Sequence, residues 1–256
     1  MDKLSVVNEM EDREMSVVEH IVELRKRVIY TVLSFVLFLI VGFTFTKDIY
    51  FWLVKDLPMK LTVLGPSDVL WIFFSIATVF AIVCTIPFAA IQIWLFVKPG
   101  LHPNEQKMTL MYIPVLSILF IAGLCFGYFV VMPFLFHFLT TIGNEMFNTM
   151  FTTEKYFHFV LNLTVPFAVI FELPVVVMFL TSIGLLTAEF LIKIRRYAYV
   201  ALIIIASCIS PPDFLSHSLV AVPLICIYEI SIALSKIVSK RKKKREEEIQ
   251  SKSASL

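Results

Sequence analysis

An acidic side chain lies in the middle of an apolar stretch that is long enough to cross a membrane. The stretch VIFELPVVVMFL places Glu172 and Pro174 within an apolar run that extends from Phe159 to Ile183. A carboxylate at the centre of a membrane helix costs about 2.5–3.5 kcal/mol on insertion scales. A polar group kept at that cost is typical of a functional site. The competing explanation is a carboxyl group that is satisfied inside a helix bundle for packing alone.

A second acid lies among bases just before the first apolar run. In the segment EHIVELRKR, Glu23 and Arg27 have i, i+4 spacing, which places them on one face of a helix. Apolar residues occupy another face, so the pattern over 19–27 predicts a short amphipathic helix at the membrane interface. The bases alone would hold this end of the chain inside the cell, but they do not account for the acid among them.

A third acid follows the second apolar run, in IWLFVKPGLHPNEQK. Pro103 fits the first position of a helix, which puts Glu105 in its first turn, where the helix dipole favours a negative charge. On this pattern alone, ordinary helix-start chemistry accounts for Glu105. Phe96 is accounted for equally well as a lipid-facing aromatic residue.

The composition indicates a polytopic membrane protein. Of the 256 residues 59% are hydrophobic and 16% are charged, with a mean hydropathy of +0.86, whereas soluble domains are about 45–50% apolar and about 25% charged. The four cysteines lie in apolar runs without a C-x-x-C pair. We therefore expect small buried apolar side chains there, with no disulfide and no metal site.

Long, continuous apolar runs predict membrane-spanning helices rather than the short alternating strands of a barrel. A helical span needs about 20 mostly apolar residues. Six candidates satisfy or approach this length: 28–45, 70–97, 109–137, 157–183, 197–210 and 214–235. The fifth is unusual, because its 13 residues from Tyr197 to Ile209 span only about 20 Å against a hydrocarbon thickness near 30 Å.

The distribution of basic residues predicts the orientation of these spans. Of the 22 Lys and Arg residues, 18 lie in the two terminal segments and in the loops on the same side, and only four lie on the other side. Loops rich in Lys and Arg remain in the cytoplasm. We therefore expect both termini to be cytoplasmic, with the basic tail anchored at the anionic leaflet.

Five segments together resemble the signature segments of TatC, the six-span core subunit of twin-arginine protein translocases. They are HIVELRKR, QIWLFVKPGLHPNE, FGYFVVMPF, FELPVVVMFL and SPPDFLSHSLVAVPLICIYEI. The resemblance covers residues 16–236 in order, with the spacing and topology of that family. It implies an all-α fold whose six transmembrane helices form a bent, concave cup.

The resemblance also implies a cytoplasmic site for signal peptides that bear two consecutive arginines. The matching positions are Phe96, Leu101 and Glu105 in the first cytoplasmic loop, and Glu23 before the first span. This assignment agrees with the chemistry of the residues, because guanidinium groups pair with carboxylates through charge-assisted hydrogen bonds. An aromatic ring beside the acids offers a surface to the apolar region of the peptide.

Within the membrane, the resemblance places Glu172 in the hollow of the cup, at a site for partner subunits or the inserted peptide. Ser210 and His217 stand where family members commonly carry Thr and Gln, and they are the further candidates for a polar contact with partners. Between them, the turn SPPDF joins the last two spans, and Asp213 suits the N-cap of the final helix.

These observations predict three regions: a cytoplasmic segment over 1–27, a six-span domain over 28–236 and a charged cytoplasmic tail over 237–256. The predicted function is recognition of Arg-Arg signal peptides of folded precursors, with no enzymatic activity and no cofactor or metal. The expected partners are single-span TatA-type subunits, with TatB-type subunits left open, together with the lipid bilayer and further copies of the chain. Nucleic acid is not an expected partner, and the expected location is the bacterial cell membrane.

Two other function classes compete with this prediction. A proton-coupled transporter for small solutes would use Glu172 as the proton carrier, but it would also show an internal repeat with paired broken helices, and no similar halves are apparent. An intramembrane protease would need a Ser/His pair or two carboxylates at matching depth.

Nucleotide-driven transport is not expected, because the sequence has no G-x-x-x-x-G-K-[ST] loop. We therefore expect the proton-motive force to drive export.

Overall fold

The computed structural model of the chain describes residues 17–55, 57, 61–100, 106, 110–146, 150–210 and 213–254. These residues form eight α-helices: α1 (Val17–Val54), α2 (Pro66–Val97), α3 (Tyr112–Phe126), α4 (Met132–Met146), α5 (Thr153–Ile170), α6 (Leu173–Ser182), α7 (Ala188–Ile209) and α8 (Phe214–Ala254). A 3₁₀ turn over Lys98–Gly100 follows α2, and a π-helical turn over Gly127–Val131 joins α3 to α4. The described ranges contain no strand, only an isolated bridge between Thr62 and Thr152. The predicted all-α class is confirmed.

Five helical segments of the described chain are long and apolar enough to cross a membrane: His20–Val54, Pro66–Val97, Tyr112–Gly143, Thr153–Ser182 and Phe214–Lys240. The remaining predicted span, 197–210, lies in the second half of α7. The first half of α7 carries charged residues such as Lys193 and Arg195. With 22 residues, α7 is about 33 Å long, so the helix itself is not short, although its apolar part is.

The N-terminal region differs from the predicted separate amphipathic helix over 19–27. Helix α1 continues without a break from Val17 to Val54, through the charged segment and the first span. None of the residues at that junction is a helix breaker, and Arg and Lys have good helix propensity. The C-terminal region behaves in the same way, since α8 continues past the predicted end of the last span to Ala254.

The predicted span 157–183 is two helices rather than one. Helix α5 ends at Ile170, and α6 begins at Leu173 with Pro174 in its first turn. Proline has no backbone N–H, so it cannot donate the hydrogen bond that would extend α5 through this position. It fits the first turn of a helix, where the N–H would have no intrahelical partner. Glu172 therefore lies in the break between the two helices, where its own N–H donates to the carbonyl of Val169 at 3.1 Å.

Two glycines bring α3 and the π-helical turn against α5. A Cβ on Gly123 would lie 2.6 Å from Cα of Ala168, and one on Gly127 would lie 2.8 Å from Cα of Thr164. Real Cβ atoms do not approach backbone so closely, so the contact requires glycine. The Gly-x-x-x-Gly spacing thus serves packing within the chain.

The buried apolar side chains form two clusters. The larger joins the middle helices to α7 and α8, and its most buried members are Leu135, Leu163, Phe167, Val220 and Leu224. The smaller joins α2 to the start of α5 and contains Ile72, Ile76, Met132, Tyr156, Phe157 and Val160. Helix α1 adds partly buried side chains to the smaller cluster, namely Ile49, Tyr50, Leu53 and Val54. Only 11% of an apolar 18-residue window of α1 is buried, against 44% for Thr153–Ser182 and for Phe214–Lys240.

The four cysteines are free thiols. The prediction that they are buried is wrong for three of them. Cys125, Cys208 and Cys226 lie on the exterior of the chain, and Cys84 is partly buried. An apolar helix in a membrane protein turns part of its surface toward lipid, so an apolar neighbourhood in the sequence does not imply a place in the protein core.

The glycine contact yields a stability prediction. Gly123→Ala should push α3 away from α5 and lower the free energy of unfolding by about 1–3 kcal/mol, as overpacking does. Thermal unfolding of the protein in detergent would measure the loss. Gly65→Ala is the matched control, because the nearest atoms to a Cβ there are Ser67 Oγ at 3.5 Å and Asp68 Oδ1 at 3.8 Å, which are ordinary contact distances. Equal stability of the two variants would contradict the proposed role of the close contact.

Candidate functional site

The N-terminal part of α1 packs against the C-terminal end of α2. The imidazole of His20 stacks on the ring of Phe96, with 4.2 Å between ring centroids and 25° between planes. Two turns further along α1, NH1 of Arg27 donates a hydrogen bond to Oε1 of Gln92 at 3.2 Å. Gln92 lies one turn before Phe96, so the two contacts follow antiparallel helices. We call the contact formed by His20, Arg27, Gln92 and Phe96 the α1–α2 seam.

Glu23 lies on α1 between the two contacts of the seam. NH2 of Arg27 donates to Oε1 of Glu23 at 3.0 Å, which confirms the i, i+4 pairing expected from the spacing. The side chains are only 20% exposed for Glu23 and 23% for Arg27, so the pair is largely withdrawn from solvent. The structure thus brings Glu23 and Phe96, predicted from distant segments of the sequence, to the same end of the molecule.

The other two residues predicted for the cytoplasmic site, Leu101 and Glu105, lie outside the described residues. The chain on either side of them is described. Helix α2 ends in the 3₁₀ turn that starts at Lys98, and Nε2 of Gln106 donates to the carbonyl of Lys98 at 3.2 Å. Residue 106 is therefore held next to the last turn of α2.

Glu172 presents a buried carboxyl group at the break between α5 and α6. Both of its carboxyl oxygens are inaccessible to water, and neither has a hydrogen-bond partner among the described residues. It occupies the N-cap position of α6, but its side chain makes no capping bond there. Burying a polar group without a partner is costly, so this carboxyl group destabilises the isolated chain.

Two adjoining cavities lie between α2, α5 and the end of α7. One, of about 370 Å³, is lined mainly by polar residues: Glu154, Lys155, His158, Phe159, Asn162, Ile209 and Ser210. The other, of about 530 Å³, shares Asn162 and Ile209 and continues along mostly apolar side chains such as Phe74 and Val165. Glu172 is not among the residues that line either cavity. Its predicted place in the hollow of the cup stays a prediction.

Ser210 and His217 do not form a joint site in the structure. Ser210 is buried, and its hydroxyl donates to the carbonyl of Ala206 at 2.9 Å. Nδ1 of His217 instead lies 3.4 Å from the hydroxyl of Ser207, a residue that the sequence analysis did not single out. Ser207 lies three positions before Ser210, and no pattern in the sequence indicated its pairing with His217.

The start of α8 follows the sequence prediction. Oδ2 of Asp213 accepts a hydrogen bond from the backbone N–H of Ser216 at 2.7 Å, as an N-cap residue does. The two prolines of the SPPDF turn, 211 and 212, lie outside the described residues. Because the helices alternate in direction, this turn lies at the end of the molecule opposite to the α1–α2 seam.

A polar contact between α7 and α8 was not predicted. Nε of Arg195 donates to Oε1 of Glu229 at 2.6 Å, NH2 of Arg195 contacts the other carboxylate oxygen, and the hydroxyl of Tyr199 contacts Glu229 as well. The sequence shows Glu229 only as an interruption near the end of an apolar run. The structure shows that this acid joins the two last helices through a forked pair with an arginine.

The remaining polar residues of the described chain do not indicate a metal centre. No group of three or more His, Cys, Asp or Glu side chains in these ranges is arranged to hold a metal ion. The missed residue that bears most directly on the site is Gln92. It is the one polar side chain in AAIQIWLFV, and this isolation is the signal by which it could have been found.

Known proteins resemble this chain over most of its length. The family model for Sec-independent protein translocase protein (TatC) matches residues 19–223. TatCd of Bacillus subtilis (strain 168) is 47% identical over 237 residues, which are 93% of this chain and 98% of the relative. TatCy of the same strain is 44% identical over 239 residues, which are 92% and 94% of the two chains.

A solved structure of a TatC protein also resembles this chain. A crystal structure of the twin arginine translocase receptor TatC matches with a TM-score of 0.76 at 32% identity, and the match covers 86% of this chain and 100% of that one. These relatives are transport components rather than enzymes, which agrees with the sequence-based expectation. The chain belongs to the TatC family of Sec-independent protein translocase proteins.

Proposed function

We propose that this chain recognises signal peptides with two consecutive arginines at the cytoplasmic face of a bacterial cell membrane. The observation that carries the proposal is the α1–α2 seam, which holds Glu23 and Phe96 at one end of the molecule. The solved relative is named a twin arginine translocase receptor, which supports the same role here.

The chemistry of recognition follows from the residue types. A peptide guanidinium would pair with the carboxylate of Glu23, and a second guanidinium would pair with Glu105 from the loop after α2. Phe96 and Leu101 would contact the apolar region that follows the two arginines. Because hydrogen bonds to charged groups contribute about 1.5–3 kcal/mol each, two acids suffice to select an Arg-Arg pair over neutral residues.

The receptor would act within a larger complex. We propose that it organises single-span TatA-type subunits, that TatB-type subunits join where the organism makes them, and that several copies of this chain assemble together. The proton-motive force would drive export of the folded precursor. Glu172 supports a partner site in the membrane, because its buried carboxyl group lacks a hydrogen-bond partner within the described chain. Ser210 and His217 are the further candidates for a partner contact at the opposite end from the peptide site.

The acids of the peptide site can be tested directly. Glu23→Ala and Glu105→Ala should each weaken binding of an Arg-Arg precursor by about tenfold or more, because each loses a charge-assisted bond. Precursor binding to each variant would measure the loss of affinity, and photo-crosslinking to probes at positions 96 and 105 of the otherwise unchanged chain would show the contact. Glu189→Ala removes an exposed acid from the start of α7 and is the control for net charge. Wild-type binding and export in the Glu23/Glu105 double variant would show that the site is assigned to the wrong residues.

The orientation of the chain can be tested with reporter fusions. A reporter that is active only outside the cytoplasm should be active after residue 60 or 150, and it should be silent after residue 104, 192 or 245. The physical reason is the retention of Lys- and Arg-rich loops on the cytoplasmic side. The reverse pattern of activity would overturn the proposed orientation and, with it, the cytoplasmic location of Glu23.

The role of Glu172 can be tested by comparing two substitutions. Gln keeps the shape of the side chain with both a donor and an acceptor, whereas Leu has neither. Glu172→Gln should therefore keep substantial export, and Glu172→Leu should insert normally but lose most partner crosslinking. Val176→Leu, at an exposed position one turn further along α6, is the control for insertion.

A proton carrier at position 172 predicts a different result. Gln cannot release a proton, so Glu172→Gln and Glu172→Leu would then be equally inactive while their partner contacts remained normal. That outcome would replace the partner-site proposal with a proton-transfer role. Export and partner crosslinking measured on the same membranes separate the two mechanisms.

A further inference from the structure

We propose that Gln92 is a positioning residue of the peptide site. It does not contact the peptide. It holds the guanidinium of Arg27 toward α2, and so it keeps that internal arginine from closing over the carboxylate that a peptide arginine needs. The inference rests on the proposed function of Glu23 as an acceptor for the signal peptide.

The first support is the burial of Gln92. It is only 8% exposed, and it is the one polar side chain among apolar residues at the end of α2. Burying an amide costs free energy unless the amide is hydrogen-bonded. Its Oε1 accepts the bond from NH1 of Arg27, 65 positions away in the sequence. Gln92 therefore has a specific partner, and that partner is also bonded to Glu23.

The second support is the way Arg27 divides its donors. NH1 bonds Gln92 on α2 and NH2 bonds Oε1 of Glu23 on α1, while the buried Nε has no partner among the described residues. The preferred pairing of guanidinium and carboxylate is forked, with two parallel bonds to the two oxygens. Arg27 makes only one such bond to Glu23 although a second donor is buried and unused.

The amide oxygen of Gln92 accounts for the single bond between Arg27 and Glu23. Because Gln92 holds NH1 of Arg27, the fork that would place NH1 and NH2 on the two oxygens of Glu23 does not form. Among the described residues, Arg27 reaches the Glu23 carboxylate through Oε1 alone. A carboxylate has about four lone-pair sites, so its remaining sites can accept a second guanidinium. Without Gln92, the forked internal pair would occupy the place of the peptide arginine.

The experiment compares three forms of the full-length protein in lipid nanodiscs. The probe is a synthetic peptide with two consecutive arginines followed by an apolar segment, and its dissociation constant is measured. Gln92→Met keeps the length of the side chain but offers only a weak acceptor. Gln92→Glu offers a stronger acceptor to Arg27.

The expected result is an order of affinities that packing alone would not produce. Gln92→Met should weaken peptide binding by roughly tenfold, the equivalent of one hydrogen bond to a charged group. Gln92→Glu should bind as well as the wild type or better. If Gln92 serves packing only, the order reverses, because Met is tolerated in an apolar surrounding and a buried acid is not. The reversed order would overturn the proposal.

A second comparison tests whether Gln92 acts through Arg27. Arg27→Gln should bind the peptide at least as well as the wild type, because no internal guanidinium remains to compete. In that background Gln92→Met should have no further effect. A tenfold loss that persists without Arg27 would also overturn the proposal.

The outcomes separate this inference from the proposed function. Glu23→Ala is measured in parallel, with the same peptide. Unchanged binding in Glu23→Ala would mean that the peptide-site assignment itself is wrong. Reduced binding in Glu23→Ala, together with wild-type binding in Gln92→Met, would leave that assignment in place and reject only the positioning role of Gln92.

Discussion

A polar side chain that enters the hydrocarbon region must find its hydrogen-bond partner within the protein, and this constraint governs how the helices are arranged. The hydroxyl of Tyr228 donates to the carbonyl of Leu191 at 2.9 Å and joins α8 to α7. Thr181 and Ser235 share a hydrogen bond of 2.9 Å between α6 and α8. The α1–α2 seam is the same kind of contact near the N-terminal end of α1. Lipid is as apolar as the helix surfaces, so burying apolar side chains between helices gives little preference for one alignment over another. Hydrogen bonds between helices therefore help to fix the alignment of neighbouring helices.

Glu172 departs from this constraint with both oxygens of its carboxyl group, which have no partner among the described residues; its surroundings explain how this is tolerated. The helix breaks beside it, so the regular backbone hydrogen bonds of the helix are already interrupted there. Pro174 lies in the first turn of the next helix. Irregular backbone within a membrane occurs where protein or a cavity covers it. A carboxyl group placed there without a partner is destabilising for the isolated chain. Association with a hydrogen-bonding partner would recover that cost.

Composition and spacing predicted the class of protein, the apolar runs and the Glu23–Arg27 pair, because these depend on local periodicity and hydropathy. The position of Pro174 indicates an interrupted backbone ladder near Glu172, but the division of 157–183 into two helices was not predicted, because hydropathy is high on both sides of the break. The continuity of α1 was missed for a related reason: a change from charged to apolar residues marks the membrane surface but does not end a helix. The bond between Arg27 and Gln92 joins distant segments, and no local pattern could predict it.

Contacts along its whole length hold α1 against α2, although only a small part of its apolar window is buried. In the middle, a Cβ on Gly42 would lie 2.9 Å from the carbonyl oxygen of Ala77, so the two helices approach closely there. At the end away from the seam, Tyr50 stacks on Phe157 of α5 with 5.5 Å between ring centroids. At the other end, the seam supplies one aromatic stack and one guanidinium bridge. A rotation of α1 by one residue, about 100°, would carry Glu23 away from Phe96. The polar bridge to α2 therefore sets the direction of the acid as well as its distance from the aromatic ring.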